Sequence, residues 1–361
     1  MKQYILIFFL LNLPAALRAQ DKTDVANEGL KGSVRTMTVK GFSAETVNGR
    51  TKKSFPIATT IKRFNQQGML TETVSGTGYD TVVVKGTNIR GARIAYKYDE
   101  QNNLVSSMSY FTDGRLSDSS THEVDKMGNR TFWKIYRGNG SIAWEYVREY
   151  DNVGNLLEIN DYHNGKLETR HTYRYNDNSK CIKESDYDEY GRLKVEQVMK
   201  YDERGNRTEM TEYNTADGSE VRHYYKYNAA GKCTEEYEYA TATAKKYKKT
   251  LNFYDQQNNL IEIKQYAENG VQLYEGRFDS YGNHLADIAY NPDGSLHDQI
   301  TAEYKYDSRG NEIEEMLHYT DGASAASISK YEYDMANNWI KKTVFEDGEA
   351  TRLIEREIEY Y

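Results

Sequence analysis

"YKYDSRGNE", residues 304–312, reads as the end of a strand running into a tight turn. Near-copies of it recur ten more times, each built on an Asp or Asn that almost always follows an aromatic residue. These anchors are Asn65, Asp99, Asp125, Asp151, Asn176, Asp202, Asn228, Asp255, Asp279, Asp307 and Asp334. After a first interval of 34 residues the spacings are 26, 26, 25, 26, 26, 27, 24, 28 and 27. A period held over that much chain marks a repeat array.

Each column of the repeat has a physical reason. Before the anchor stand Tyr98, Tyr150, Tyr175, Tyr201, Tyr227, Tyr254, Tyr306 and Tyr333, with Phe64 and Phe278, and only Val124 departs from the aromatic rule. Three residues after it stand Gly68, Gly128, Gly154, Gly205, Gly231, Gly282 and Gly310, or Asn102, Asn258 and Asn337, with Ser179 the exception. An Asp or Asn that opens a type I turn bonds its own backbone two residues on, and Gly or Asn at the fourth position tolerates the positive φ that closes the hairpin. A second turn falls midway through most units, as at Asp113-Gly114, Asn164-Gly165, Asp217-Gly218 and Asp347-Gly348. Such dipeptides between half-apolar runs are strong hairpin signals. Each unit is therefore two strands of about eight residues and two tight turns.

This predicts an all-β chain. It is a long antiparallel meander of about eleven 26-residue hairpins, forming an open, twisted or curled single sheet. Composition agrees: Tyr rises to 33 residues and Pro falls to 3, as strands prefer. The expected organisation is a signal peptide over 1–20, a divergent capping hairpin over 21–64 and the repeat array over 65–361. The first of these rests on Lys2, the apolar run Tyr4–Leu13 and the small-residue stretch ending Leu17-Arg18-Ala19. Ten apolar residues are too few to span a bilayer, which takes about 20, so no transmembrane segment is expected after cleavage. The expected location is the periplasm, the cell surface or the medium.

The segments "YKYDSRGNE", "REYDNVGNL", "MKYDERGNR" and "YKYDEQNNL" resemble the YD repeats of the Rhs family and of teneurin shells. The resemblance covers about 60–361. It implies hairpins winding into a curved sheet, which in large members closes around a toxin or other C-terminal segment. It also implies one alternative function, a component of a contact-dependent toxin system, as shell fragment or immunity partner. Three features depart from the family: a unit longer than the usual ~20 residues, no self-cleaving segment, and a sheet only about 110 Å wide at ~4.8 Å per strand.

Chemistry is sparse. The net charge of −8 argues against a nucleic-acid partner. His122, His163, His171, His223, His284, His297 and His318 show no metal spacing, although His163 and His171 lie on successive strands. Asp186, Asp188 and Gly191 follow the order of a calcium loop, but Tyr190 and Gln197 occupy donor positions, and a mid-unit turn explains the run better. No nucleophile elbow, P-loop or Cys-x-x-Cys occurs, so a non-enzyme without cofactor or metal is expected. Cys181 and Cys233 fall two units apart and are expected as free thiols. An outer-membrane barrel fails on Glu355, Glu357 and Glu359, which alternate where lipid-facing residues should be apolar.

What remains is a second aromatic column, eleven residues after the anchor: Tyr110, Tyr136, Tyr162, Tyr187, Tyr213, Tyr239, Tyr266 and Tyr290, with Phe345. Aromatic rows beside hydrogen-bonding side chains suit sugars or protein surfaces. The expected function is thus an exported, non-catalytic scaffold that binds polysaccharide or a cell-surface protein through this column.

Overall fold

A computed structural model describes residues 23–77, 82–84, 87–90, 92–240 and 246–361. The signal-peptide stretch and the turn within "ATATAKKYKK" lie outside the described residues. The rest folds as the hairpin periodicity requires, with strands of 7 to 15 residues around one antiparallel sheet.

That sheet is a closed barrel of 24 strands rather than an open ribbon. Leu70–Thr77 pairs with Arg50–Phe64 and with Ala92–Tyr98, every strand from there onward pairs with its sequence neighbours, and Val34–Val47 then pairs on one side with Arg50–Phe64 and on the other with the last strand, Glu349–Tyr360. The closing register runs from Val34↔Tyr360 to Ser43↔Arg352. The first two strands are thus part of the wall.

Two forces favour closure. Nearly every Tyr-Asp turn carries a register slip: Lys226 faces Glu235, but the next residue, Tyr227, faces Cys233. The same slip occurs at Lys200↔Glu209 and Tyr201↔Arg207. One extra residue per turn bends the strand and adds twist, so the array curls. An open sheet would also leave two rows of unpaired backbone at its edges. Here the edges meet, and charge matches across them. Arg35 pairs with Glu359 at 2.9 Å, Lys40 with Glu357 at 2.7 Å and Lys53 with Glu355 at 2.5 Å. The glutamates that argued against a lipid face belong to the seam.

Twenty-four strands at ~4.8 Å, tilted 35–45°, make a ring roughly 45–50 Å across. Opposite walls are then too far apart for side chains to meet, and most residues are half-buried. The one buried apolar cluster among the described residues sits at the seam. Val25 and Leu30, from a short N-terminal helix Asp24–Asn27 and the segment after it, pack on Val34, Met37 and Phe64. Backbone contacts tie that segment to both ends of the array. The Val25 amide donates to the Gly68 carbonyl, and the Lys31 amide and carbonyl bond the Asn338 side chain at 2.8 and 2.9 Å. The long first interval also has a cause: Val82–Val84 and Thr87–Arg90 form a separate two-stranded hairpin within it.

The turns have the expected geometry. The Asp202 carboxylate accepts from the amides of Arg204 and Asn206 at 3.0 and 2.8 Å, and Gly205 has φ +79°. Asn102, Asn258 and Asn337 hold the same position at φ 62–63°, and Ser179 at 55°. Gly205→Val should therefore cost about 1–3 kcal/mol in chemical denaturation, because a β-branched residue strains at positive φ. Gly205→Asn should cost far less; equal losses would contradict this turn. At the seam, reversing Glu355 and Glu357 to Lys places like charges beside Lys53 and Lys40. The expected loss is about 1–2 kcal/mol, with faster amide exchange in Val34–Val47 and in Glu349–Tyr360. The same reversal at the mid-wall pair Lys305–Glu314 should leave exchange at the seam unchanged.

Candidate ligand-binding surface

Alternation along each strand gives the wall two faces. One carries the residues one and three before each anchor, such as Tyr225 and Tyr227, or Tyr304 and Tyr306. The other carries the residues between them, where cross-strand ion pairs recur: Lys200–Glu209 at 2.8 Å, Lys226–Glu235 at 3.1 Å and Lys305–Glu314 at 2.8 Å.

On the tyrosine face, a tyrosine before most anchors joins neighbouring units. The hydroxyls of Tyr150, Tyr201, Tyr227 and Tyr254 donate to the backbone carbonyls of Arg130, Cys181, Arg207 and Cys233, about 20 residues back. Later in the chain the hydroxyl shifts to the preceding turn, so Tyr306, Tyr333 and Tyr360 donate to the carboxylates of Asp279, Asp307 and Asp334. The Asn four residues after the anchor completes the link: Asn311 bonds both the Asp307 carboxylate and the Tyr333 hydroxyl. Asn stands at this position in eight of the eleven units, a signal that sequence reasoning could have read as a partner for the anchor. These tyrosines are occupied with holding the wall.

The column eleven residues after the anchor lies on the ion-pair face. All but Tyr290 face a residue of the preceding strand, and equivalent rings stand two strands, or about 10 Å, apart. Tyr110 lies under Arg93, with the guanidinium 4.9 Å from the ring, and Tyr187 under Arg170 at 4.4 Å. Tyr136 faces Ser119, Tyr162 faces Glu145, Tyr213 faces Glu196 and Tyr266 faces Lys249. Tyr290 faces Leu296 on the following strand. Tyr213 is 43% exposed and the other seven are half-buried.

Tyr239 has a different setting. It faces Arg222, and beside it Tyr224 and Tyr237 form a cross-strand pair. With Thr208, Tyr225 and Lys226 these residues line an open groove of ≈ 610 Å³. Cations frame it: the ammonium groups of Lys226 and Lys249 each sit 5.4 Å from the Tyr237 ring. The Glu235 carboxylate holds Lys226 at 3.1 Å and accepts from the Tyr237 hydroxyl, while Arg222 is paired with Glu220 at 2.6 Å. The Tyr237 hydroxyl and then Lys226 hold Glu235 below the usual carboxylate range. Rings, hydroxyls and neutralised cations suit stacking and hydrogen bonding to a ligand.

The other candidates resolve plainly. His163 faces Lys166 and His171 faces Ile159, four register positions away, so the two histidines do not meet. Asp188 opens a turn and holds the Arg192 guanidinium at 2.7 Å. Cys181 and Cys233 begin strands separated by three others, and burial pushes both thiols up.

No family model matches the sequence, and no curated protein does. Among solved structures, the Tc holotoxin pore of Photorhabdus luminescens with a TccC3 mutation matches 80% of this chain and 17% of its own, at 11% identity and TM-score 0.42. A TcdB2–TccC3–Cdc42 complex matches 89% of this chain and 20% of its own, at 13% identity and TM-score 0.30. A porin-like protein from Bacteroides uniformis matches 91% of this chain and 99% of its own, at 13% identity and TM-score 0.23. This chain spans about a fifth of the first two in length. At these TM-scores the likenesses carry no weight, and the fold stands on its own strand register.

The turn carboxylates make the wall sensitive to acid. Burial opposes ionisation of Asp307, but hydrogen bonds from Tyr333, Asn311 and the Arg309 amide outweigh it and hold the group at about 2. A folded-state value below the unfolded one gives stability that is complete above about pH 4 and lost as pH falls toward 2. Tyr333→Phe should therefore lower stability at pH 7 and flatten its decline between pH 4 and 2, measured by urea denaturation. An unchanged acid slope would deny Tyr333 this role.

Proposed function

We propose that this chain is an exported, non-catalytic scaffold that binds carbohydrate on the ion-pair face of its barrel. The observation that carries this reading is the groove of Tyr224, Tyr237 and Tyr239 with Arg222, Lys226 and Thr208. Aromatic rings supply apolar sugar-facing area, while hydroxyls and cations supply donors for ring oxygens and hydroxyl groups. Tyr213 and Tyr266, on strands to either side, extend the row at about 10 Å intervals, close to the length of a disaccharide. A longer ligand then gains contacts without a new pocket, and its affinity rises with length.

Titration calorimetry with a graded series of oligosaccharides tests this. Affinity should climb from mono- to tetrasaccharide. Replacing Tyr237 and Tyr239 together by Ala should weaken binding about tenfold or more, at ~0.5–1.5 kcal/mol per aromatic contact. Tyr213→Ala should weaken only the longer ligands, and Tyr290→Ala, elsewhere on the ring, should change nothing. Circular dichroism must stay constant across the variants. Equal affinity for short and long ligands, or equal effects of Tyr290 and Tyr239, would overturn the proposal.

A further inference from the structure

The opposite face carries a second aromatic assembly. His122, Trp133, Tyr146, Trp144 and His163 form a continuous row across four neighbouring strands. Successive ring centroids are 5.7, 4.7, 6.1 and 4.4 Å apart, and each pair is within 20° of parallel. The register explains the row: His122 and Tyr146 both face Trp133, and Trp144 faces His163. Two of the chain's three tryptophans lie here.

Two arginines stand at one end of it. Arg130 faces Val124, its guanidinium 6.0 Å from the Trp133 ring, and the Tyr150 hydroxyl fixes its carbonyl at 3.0 Å. Arg148 lies on the adjacent strand, one residue beyond the Val147↔Phe132 pair. Among the described residues neither arginine has a carboxylate partner. Burial first, and then the Arg148 charge, pull Arg130 below its ordinary value. His122 cannot relieve this by accepting a charge itself. Burial, then Arg130 and Arg148, hold it neutral at about 4. His122 is 7% exposed, and its Nδ1 has no hydrogen-bond partner, nor does Trp133 Nε1. Two repelling cations and two unpartnered buried nitrogens at one spot oppose folding, and a bound anion would reverse the electrostatic part.

We infer that Arg130 and Arg148 form an anion site beside Trp133, suited to a small sugar acid whose carboxylate meets the guanidiniums and whose ring lies along the aromatic row. Two half-exposed guanidiniums on neighbouring strands present paired N–H groups to a carboxylate. The site is independent of the tyrosine groove and lies on the other face.

The test follows the intrinsic fluorescence of the full chain as glucuronate, glucose or inorganic phosphate is added. Glucuronate should quench it saturably, with at least tenfold higher affinity than glucose or phosphate. Arg130→Gln and Arg148→Gln should each weaken glucuronate binding tenfold or more while leaving the unliganded melting temperature unchanged or raised. Arg130→Lys should keep most of the affinity. Equal affinity for glucose would remove the charge from the argument, and equal affinity for phosphate would remove the ring. Full binding by both Gln variants would also overturn the assignment. Tyr237→Ala/Tyr239→Ala, which empties the groove, should leave this signal unchanged; its loss there would place the ligand in the groove instead.

Discussion

Each strand of a meander needs a neighbour on both sides, and the last strand of a linear array has only one. In this chain the second neighbour of Glu349–Tyr360 is the strand Val34–Val47, more than 300 residues earlier. That pairing turns a ribbon with two exposed edges into a ring with none. The remaining features of the seam serve the same end. Lysines and an arginine on the early strands answer Glu355, Glu357 and Glu359, and the helix Asp24–Asn27 buries its Val25 against Met37 and Phe64. Among the described residues the buried apolar cluster lies where the two ends meet.

Within the wall, stability is distributed as in other repeat arrays, by many small contacts between neighbours. The tyrosine before most anchors reaches back one unit, and the anchor carboxylate or carboxamide holds its own turn. The motif therefore has two tasks in one stretch of sequence. Asp and Gly shape the turn, while Tyr and Asn tie that turn to the next. One of the two tyrosine columns is spent on this bonding, while the other, on the ion-pair face, is not.

Much of this was legible in the sequence. Turn chemistry is local, so the anchors and the Gly or Asn column located the hairpins and their positive-φ positions directly. Closure was not legible in the same way, because Val34–Val47 departs from the repeat frame and its partner lies at the far end of the chain. The complementary charges of Arg35, Lys40 and Lys53 and of Glu355, Glu357 and Glu359 were visible, but no periodicity joins them. The tyrosine column was found as a column. Which of its members is capped by an arginine, as Tyr110 and Tyr187 are, depends on a register set by one-residue slips at the turns. The row from His122 to His163 is hidden for the same reason, since Trp133 and Tyr146 are thirteen positions apart in sequence and adjacent only across the sheet.

The seam also bears on how the chain reaches its fold. Nearly all other pairings are between consecutive hairpins and form as soon as two strands exist, on the microsecond scale of isolated hairpins. Ring closure joins residues at opposite ends, so it waits for the last strand and carries the largest loop entropy of any step. Until then every growing array has two live edges, and the C-terminal one accepts any strand of suitable charge, including Val34–Val47 from a second molecule. Intramolecular capture and exchange between chains thus compete in that interval, and protein concentration during folding decides between closed monomers and linked rings.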